Sequence, residues 1–243
     1  MNTLRIHSIE TFGTHEGPGI RLVIFLQGCK LRCLYCHNPD TWNLNAGKET
    51  TTKELLTRVK HEMPYFTNGG GVTVTGGEPL LQQKQLLPFF KQLKKLGVHT
   101  GIDTNGFIFD DDTKKLLKYT DLVLLDIKHM DPDQCKKVTG KTNENALKFA
   151  EYLESIGKTF WIRCVLMPGY TDQDQNFRLL AEHFQNYKHL QRVEILPYHT
   201  MGVYKYKELG IKYKYGKVKP PTEEKINRAL KIIKKKIKNV YVR

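Results

Sequence analysis

No apolar run in the 243-residue chain approaches the roughly 20 residues of a membrane-spanning helix, so no membrane segment is expected. The opening Met1-Asn2-Thr3-Leu4-Arg5-Ile6 has neither the charged head nor the apolar core of a secretory leader. Cysteine is scarce and unevenly placed, with three of the five within eight residues, which excludes a disulfide framework and fits a reducing cytoplasm. There is no GxxxxGK[ST] phosphate loop, no HExxH zinc helix, no GxGxxG and no Ser-His-Asp relay, so the chemistries those motifs serve are set aside. Acidic residues are few toward the end of the chain. From His199 onward fourteen Lys or Arg face three acidic residues, which places eleven of the fourteen net positive charges there. No nucleic-acid-binding motif accompanies them, so no nucleic-acid partner is expected. The region reads as a solvated lysine face or as a surface that steers an acidic partner, with Lys234, Lys235 and Lys236 foremost.

What the chain does have is Cys29-Lys30-Leu31-Arg32-Cys33-Leu34-Tyr35-Cys36-His37, three cysteines at C-x3-C-x2-C spacing after an apolar run, residues 22–26. Thiolates are soft ligands that suit zinc, copper(I) and iron–sulfur clusters. Zinc stays open, since Cys33-x-x-Cys36-His37 is half of a zinc pattern, although no second knuckle follows. The remaining cysteines are single: Cys164 is expected to pack inside a strand, and Cys135 to be an exposed thiol without a role. A closed iron–sulfur cluster takes four cysteines, so three would leave one iron open to an exchangeable ligand.

Periodicity predicts six strands, over residues 21–27, 72–75, 98–103, 122–125, 159–166 and 192–196, with short ones also possible over 5–9 and 240–242. Helices are expected over 53–62, 82–96, 110–118, 145–156 and 173–187. Thr51 and Glu54 have the capping-box spacing at the start of the first. A last helix opens at Pro220-Pro221-Thr222-Glu223-Glu224, with Ile226, Leu230, Ile233 and Ile237 as its apolar stripe, and residues 200–219 read as a loop. Alternation of this kind argues a parallel α/β fold in one domain spanning 1–243. An open (β/α)6 partial TIM barrel fits best, with a doubly wound sheet as the rival. Both gather the carboxyl ends of the strands on one face. The chemically distinctive residues lie at those ends: the cysteines, Gly76-Gly77-Glu78-Pro79, Asp103-Thr104-Asn105, Asp126-Ile127-Lys128 and His199. Arg163 lies within the fifth strand.

Their local readings differ. Gly76 and Gly77 allow the close backbone approach that a compact polar ligand would need, or form an ordinary turn. Glu78 could accept from an ammonium group or cap the following helix. Asp103 and Asp126 are like charges that need a cation or proton between them, and Lys128 could supply part of it. A salt bridge within this group is the simpler reading, and a lone His199 is more often structural than functional.

The cysteine loop also matches C-x3-C-x-aromatic-C with Tyr35 at the aromatic position, and so resembles the signature of the radical S-adenosylmethionine (SAM) enzymes. The resemblance implies a [4Fe–4S] cluster on Cys29, Cys33 and Cys36, whose open iron chelates SAM. One electron then breaks a sulfur–carbon bond to give a 5′-deoxyadenosyl radical. It also implies SAM contacts from Tyr35, Cys36, His37, Gly76, Gly77, Glu78, Asp126, Ile127, Lys128, Arg163 and His199. A monovalent cation, Na+ or K+, would be held by Asp103, Thr104, Asp126 and the Leu124 carbonyl. No catalytic side chain beyond cluster and SAM is implied.

Glu16-Gly17-Pro18-Gly19-Ile20-Arg21, Cys36-His37-Asn38-Pro39, Asp103-Thr104-Asn105-Gly106 and Leu196-Pro197-Tyr198-His199 are similar to the activating enzymes of glycyl radical enzymes. The gap without cysteine between Cys36 and Cys135 resembles the single-cluster type that serves pyruvate formate-lyase. That resemblance implies hydrogen abstraction from a glycine Cα of pyruvate formate-lyase, a reduced flavodoxin or ferredoxin as electron donor, and a monomer. The glycyl segment would enter the open mouth of the barrel, with residues 13–19 as one wall.

Overall fold

A computed structural model describes residues 2–243. Strand β1 (Thr3–Gly13) is antiparallel to both β2 (Arg21–Leu26) and β3 (Lys48–Thr51). From β2 the pairing turns parallel, β2 with β4 (Gly71–Gly76) and β4 with β5 (His99–Thr104). The chain continues through β6 (Leu122–Asp126), β7 (Phe160–Leu166), β8 (Leu190–Pro197) and β9 (Val240–Val242). Strand β8 is parallel to both β7 and β9. The strand order is linear, β3-β1-β2-β4-β5-β6-β7-β8-β9. The expected α/β fold with a mostly parallel, open sheet is therefore present. Parallel strands covered on both faces read as unbroken apolar runs, and Leu22, Val23, Ile24, Leu26 and residues 122–125 are accordingly buried.

Packing divides the chain into two units: the chain up to Lys30 with Thr41–Thr104 and Ile108–Leu124, and Leu31–Asp40 with Asn105–Phe107 and Leu125–Arg243. In the first unit α1 (Thr52–Glu62) begins at the expected capping box: Thr51 accepts from the Glu54 N–H and Glu54 from the Thr51 N–H. Helix α2 (Gln83–Lys95) buries Leu86, Phe89, Phe90 and Leu93, the apolar face its spacing foretells. Helix α3 (Asp111–Leu117) is capped by Asp110, which accepts from the Asp112 and Thr113 N–H groups.

In the second unit α4 (Pro132–Thr139) starts at the Asp131 cap with Pro132 in its first turn. It ends at Gly140, whose φ of 83° few residues other than glycine adopt. Helices α5 (Glu144–Ser155), α6 (Asp174–Phe184), α7 (Val203–Glu208) and α8 (Glu223–Lys234) follow. Among the described residues no helix is long and apolar enough to cross a membrane.

Four expectations are corrected. Helix α7 lies in a stretch read as loop, because its lysines and tyrosines show no apolar stripe. Helix α8 ends at Lys234, before Ile237, and buries Ala229, Ile232 and Ile233, so its inner edge is rotated from the expected stripe. Cys135 is buried in the first turns of α4, its thiol 3.9 Å from the Thr139 hydroxyl.

The fourth concerns residues 13–19, which lie at the amino ends of the strands, away from the cysteine end of β2. Arg21 opens β2, pairs with Gly71 at the start of β4 and is fully buried. Its guanidinium donates to the Thr73 hydroxyl at 2.5 Å and to the Val72 and Pro18 carbonyls at 2.9 and 3.1 Å. Burial lowers it to about 10, against the pull of Glu16 and Asp121. A Cβ at Gly19, where φ is +65°, would stand 2.0 Å from the Thr67 carbonyl oxygen. The loop is thus stitched to the turn before β4 and forms no wall of a site at the carboxyl ends.

Candidate active site

In the first unit β2 and β4 run in register, Leu26 opposite Gly76, so the chain beyond each lies side by side. The Gly77 N–H donates to the Leu26 carbonyl at 2.9 Å and the Glu78 N–H to the Gly28 carbonyl at 2.7 Å. Gly76 has φ of +112°, and a Cβ at Gly77 would stand 2.1 Å from the Gly28 oxygen. The two glycines are required by close approach to the turn that delivers the buried Cys29. Of the two expectations for these glycines, a polar ligand and an ordinary turn, the approach to the Gly28 peptide accounts for the turn. The buried Glu78 carboxylate accepts from the Leu80 N–H at 2.9 Å and from the Thr104 hydroxyl at 2.7 Å. Its helix-capping reading therefore holds, with Leu80 in a short 3-10 turn, Pro79–Gln82. Asp103 accepts from the Thr75 hydroxyl at 2.9 Å. Glu78, Thr104, Asp103 and Thr75 so form two hydrogen-bonded pairs at the ends of β4 and β5.

In the second unit Cys33 and Tyr35 pack on an apolar cluster of Val138, Met167 and Tyr198. The backbone N–H groups of Arg32 and Leu34 donate to the Thr139 and Val138 carbonyls, which fixes the loop on the end of α4. Cys33 is half-buried as a residue, yet burial pushes its thiol up to about 12, with Lys128 opposing. Lys128 donates to Asp126 at 2.6 Å and stands 5.8 Å from the Tyr35 ring centre. Burial works against the ammonium charge, but Asp126, Tyr35 and Cys33 outweigh it and hold Lys128 well above the usual lysine range. The salt bridge expected as the simpler reading is thus formed. Ile127 is buried and its N–H donates to the Arg163 carbonyl at 2.9 Å. Leu124, the last residue of the first unit, is buried within β6.

His37 and His199 stack with ring centres 4.0 Å apart. His37 Nε2 lies 3.0 Å from the His199 carbonyl, and since a carbonyl can only accept, that nitrogen carries the proton. Burial first, and His199 second, lower His37 from its ordinary value, so the ring is neutral at pH 7. Arg163 donates to the fully buried Glu194 at 3.1 Å, across the β7–β8 register that sets these two residues opposite. Arg243 and Arg192 stand 2.9 and 3.7 Å from the other carboxylate oxygen. Cys164 points away from Arg163 and is packed, as expected, with burial pushing its thiol up to about 12.

Sequence reasoning missed Glu194, Lys205 and Tyr206. A glutamate inside the apolar run Val193-Glu194-Ile195-Leu196 was a visible signal of a buried partner for Arg163. Lys205 and Tyr206 gave none, because they sit in the stretch read as loop. Among the described residues no three His, Cys, Asp or Glu side chains are gathered to hold a metal ion. Within the second unit the chemistry of Cys33 and Cys36 fits a thiolate-bound cluster: two soft sulfur ligands on one loop, with Cys33 set in an apolar cluster. Two buried polar atoms beside that loop, the Tyr35 hydroxyl and His199 Nδ1, have no hydrogen-bond partner among the described residues, as suits a polar organic group bound next to the sulfurs.

The family model for the radical SAM superfamily matches residues 23–181. A pyruvate formate-lyase-activating enzyme of Clostridium pasteurianum is 48% identical over 95% of this chain and 97% of its own. One of Staphylococcus epidermidis is 47% identical over 94% of each. Among solved structures, a domain of a pyruvate-formate lyase-activating enzyme from Bacteroides vulgatus superposes with a TM-score of 0.61 at 25% identity, over 72% of this chain and 99% of that one. SuiB of Streptococcus suis, bound to its precursor peptide, shares the fold with a TM-score of 0.69 at 21% identity, over 92% of this chain and 48% of that one. The chain belongs to the radical SAM superfamily and, within it, to the family of pyruvate formate-lyase-activating enzymes.

Proposed function

We propose that this chain, acting as one radical SAM domain over residues 1–243, activates pyruvate formate-lyase by creating a glycyl radical in it. Similarity to activating enzymes along nearly the whole chain carries the reading. Cys29, Cys33 and Cys36 would hold a [4Fe–4S] cluster through three thiolates. When bound, cluster and SAM supply a 5′-deoxyadenosyl radical, which takes hydrogen from a glycine Cα. The chain's own residues bind and orient. His199 Nδ1 and the Tyr35 hydroxyl offer hydrogen bonds to SAM. Cys36, His37, Gly76, Gly77, Glu78, Ile127 and the Asp126–Lys128 pair complete the proposed contacts. Arg163 presents its charge from the grip of Glu194. Asp103, Thr104, Asp126 and the Leu124 carbonyl would hold a monovalent cation, Na+ or K+. The Thr104 hydroxyl donates its proton to Glu78, which leaves its oxygen lone pairs as the donors for such an ion.

The electron is assigned to reduced flavodoxin or ferredoxin, and the site of action to the cytoplasm, with the chain as a monomer. The test is anaerobic purification with iron and sulfide analysis, then dithionite, SAM and pyruvate formate-lyase. About four irons per chain, 5′-deoxyadenosine and a glycyl radical signal on the partner are expected. Cys33→Ser should lose iron and SAM cleavage together. Colourless protein that holds zinc and stays inert after cluster reconstitution would sink the reading.

A further inference from the structure

Residues 36–40 begin at the last loop cysteine and have no regular structure beyond the 3-10 turn that Pro39 opens. Their shape must therefore come from what touches them, and residues 199–206 of the same unit touch them repeatedly. The Lys205 ammonium donates to the Asn38 side-chain oxygen and to the Asp40 carboxylate, each at 2.9 Å. The Tyr206 hydroxyl donates to the Cys36 carbonyl at 3.1 Å. His37 is held by the His199 carbonyl and ring. At Gly202 the two backbones meet so closely that a Cβ would stand 2.7 Å from the His37 Cα. We infer that Lys205 and Tyr206 are positioning residues, which hold the Cys36 and His37 backbone in the conformation that the proposed SAM site requires.

The inference rests on the functional reading above, and its chemistry is specific. Lys205 joins an amide and a carboxylate two residues apart, from a point 165 residues further along the chain. A charge-assisted bond of this kind, with the side chains mostly shielded from water, is stronger than a neutral one and fixes the loop at its far end. Tyr206 is buried, packs its ring against Tyr213 with centres 4.8 Å apart and planes tilted by 58°, and fixes the near end at Cys36 itself. The loop is thus pinned on both sides of His37. Neither residue needs to touch SAM to act.

The test compares Lys205→Met, Lys205→Arg and Tyr206→Phe with wild type, and uses the exposed Lys212→Met as control. In the cluster-free protein, amide hydrogen exchange over residues 36–40 should speed up about tenfold in Lys205→Met and Tyr206→Phe, with protection elsewhere unchanged. In reconstituted protein, iron content should match wild type. The KM for SAM should rise about tenfold with kcat within about twofold, and Lys205→Arg should restore much of it. Unchanged exchange in both variants would overturn the inference. So would loss of protection along the whole unit, or a kcat loss with KM unmoved. If wild type itself fails to cleave SAM, the functional reading falls while the exchange result still decides whether the loop is pinned.

Discussion

Glu194→Gln tests whether Glu194 is the charge that holds Arg163 in the fold. The carboxylate is fully buried, and Arg163, its partner across the strand register, is 8% exposed. Arg243 and Arg192, 19% and 29% exposed, complete the set. Glutamine keeps the shape and one acceptor but leaves buried guanidinium charge uncompensated. Removing one partner of a buried ion pair costs about 3–5 kcal/mol. Arg243 and Arg192 can turn toward water, and a neutral oxygen still accepts from Arg163, so about 3 kcal/mol is expected. In a chain of this length each kcal/mol lowers Tm by roughly 2–4 °C, hence a fall of about 6–12 °C. Urea and thermal unfolding of cluster-free protein under reducing conditions, followed by circular dichroism, measure it. Adding Arg163→Met to Glu194→Gln should recover part of the loss, since the pair then goes together. A fall of less than about 2 °C would refute the account of Glu194 as the charge that holds Arg163.

Gly77→Ala should cost about 3 kcal/mol and lose most of the bound iron, because the new Cβ would stand 2.1 Å from the Gly28 oxygen and push the Cys29 turn aside; full iron content would show that turn to be yielding. Iodoacetamide should alkylate Cys33 in cluster-free protein about a thousandfold more slowly at pH 8 than an ordinary thiol, since burial pushes it up to about 12. The rate should climb tenfold per pH unit until near pH 11, and a plateau by pH 9 would contradict the burial. The fold favours the neutral thiol, so this contribution to stability is complete below about pH 8 and is lost as pH rises from there toward about 12. Replacing Lys234, Lys235 and Lys236 by glutamine should slow reduction by flavodoxin, more so at low salt, and leave reduction by dithionite unchanged; equal flavodoxin rates would remove that docking surface.

The parallel strands and most helices were legible because their signals are local. Leu22 to Leu26 and Leu122 to Leu125 are unbroken apolar runs, and Thr51 with Glu54 announces a helix start. The edge strand β3 was not, because Lys48-Glu49-Thr50-Thr51 is polar and gains its form from pairing with β1. The placement of residues 13–19 was out of reach for a related reason. Glycines mark a tight path, but which end of the sheet the path serves depends on Arg21 reaching Thr73, 52 residues away. At the site, chemical type was readable and partnership was not. Gly76, Gly77 and Glu78 stood out as unusual residues at a strand end, yet the glycines answer to the Gly28 carbonyl and Glu78 to Thr104 and Leu80. Cys135 looked exposed because lysines flank it, although Asp131 capping α4 turns that residue inward.

These partnerships bear on how the site accepts a cluster. The charges of the second unit are matched by its own residues, Lys128 with Asp126 and Arg163 with Glu194, and burial favours the neutral Cys33 thiol. Thiolates bind soft metals, so if Cys33 is a cluster ligand, as proposed, uptake would expel its proton and place negative charge in an apolar cluster. Lys128 is the cation set to meet that charge. Its ammonium lies close enough to lower the Cys33 thiol against burial, and the same proximity helps to hold Lys128 protonated. Asp126 keeps the lysine from being an unpaired buried charge while Cys33 is neutral. An ionised sulfur would meet a lysine already buried beside it, since Lys128 acts on both Asp126 and Cys33. That double action explains why a lysine, with three donors on one ammonium, suits position 128. Lys128→Met should therefore weaken cluster retention by a similar factor throughout pH 7 to 9, because burial keeps Cys33 protonated over that window in either protein. Iron content followed across pH 7 to 9 would measure it, and retention equal to wild type over that range would show that Cys33 ionises without help from Lys128.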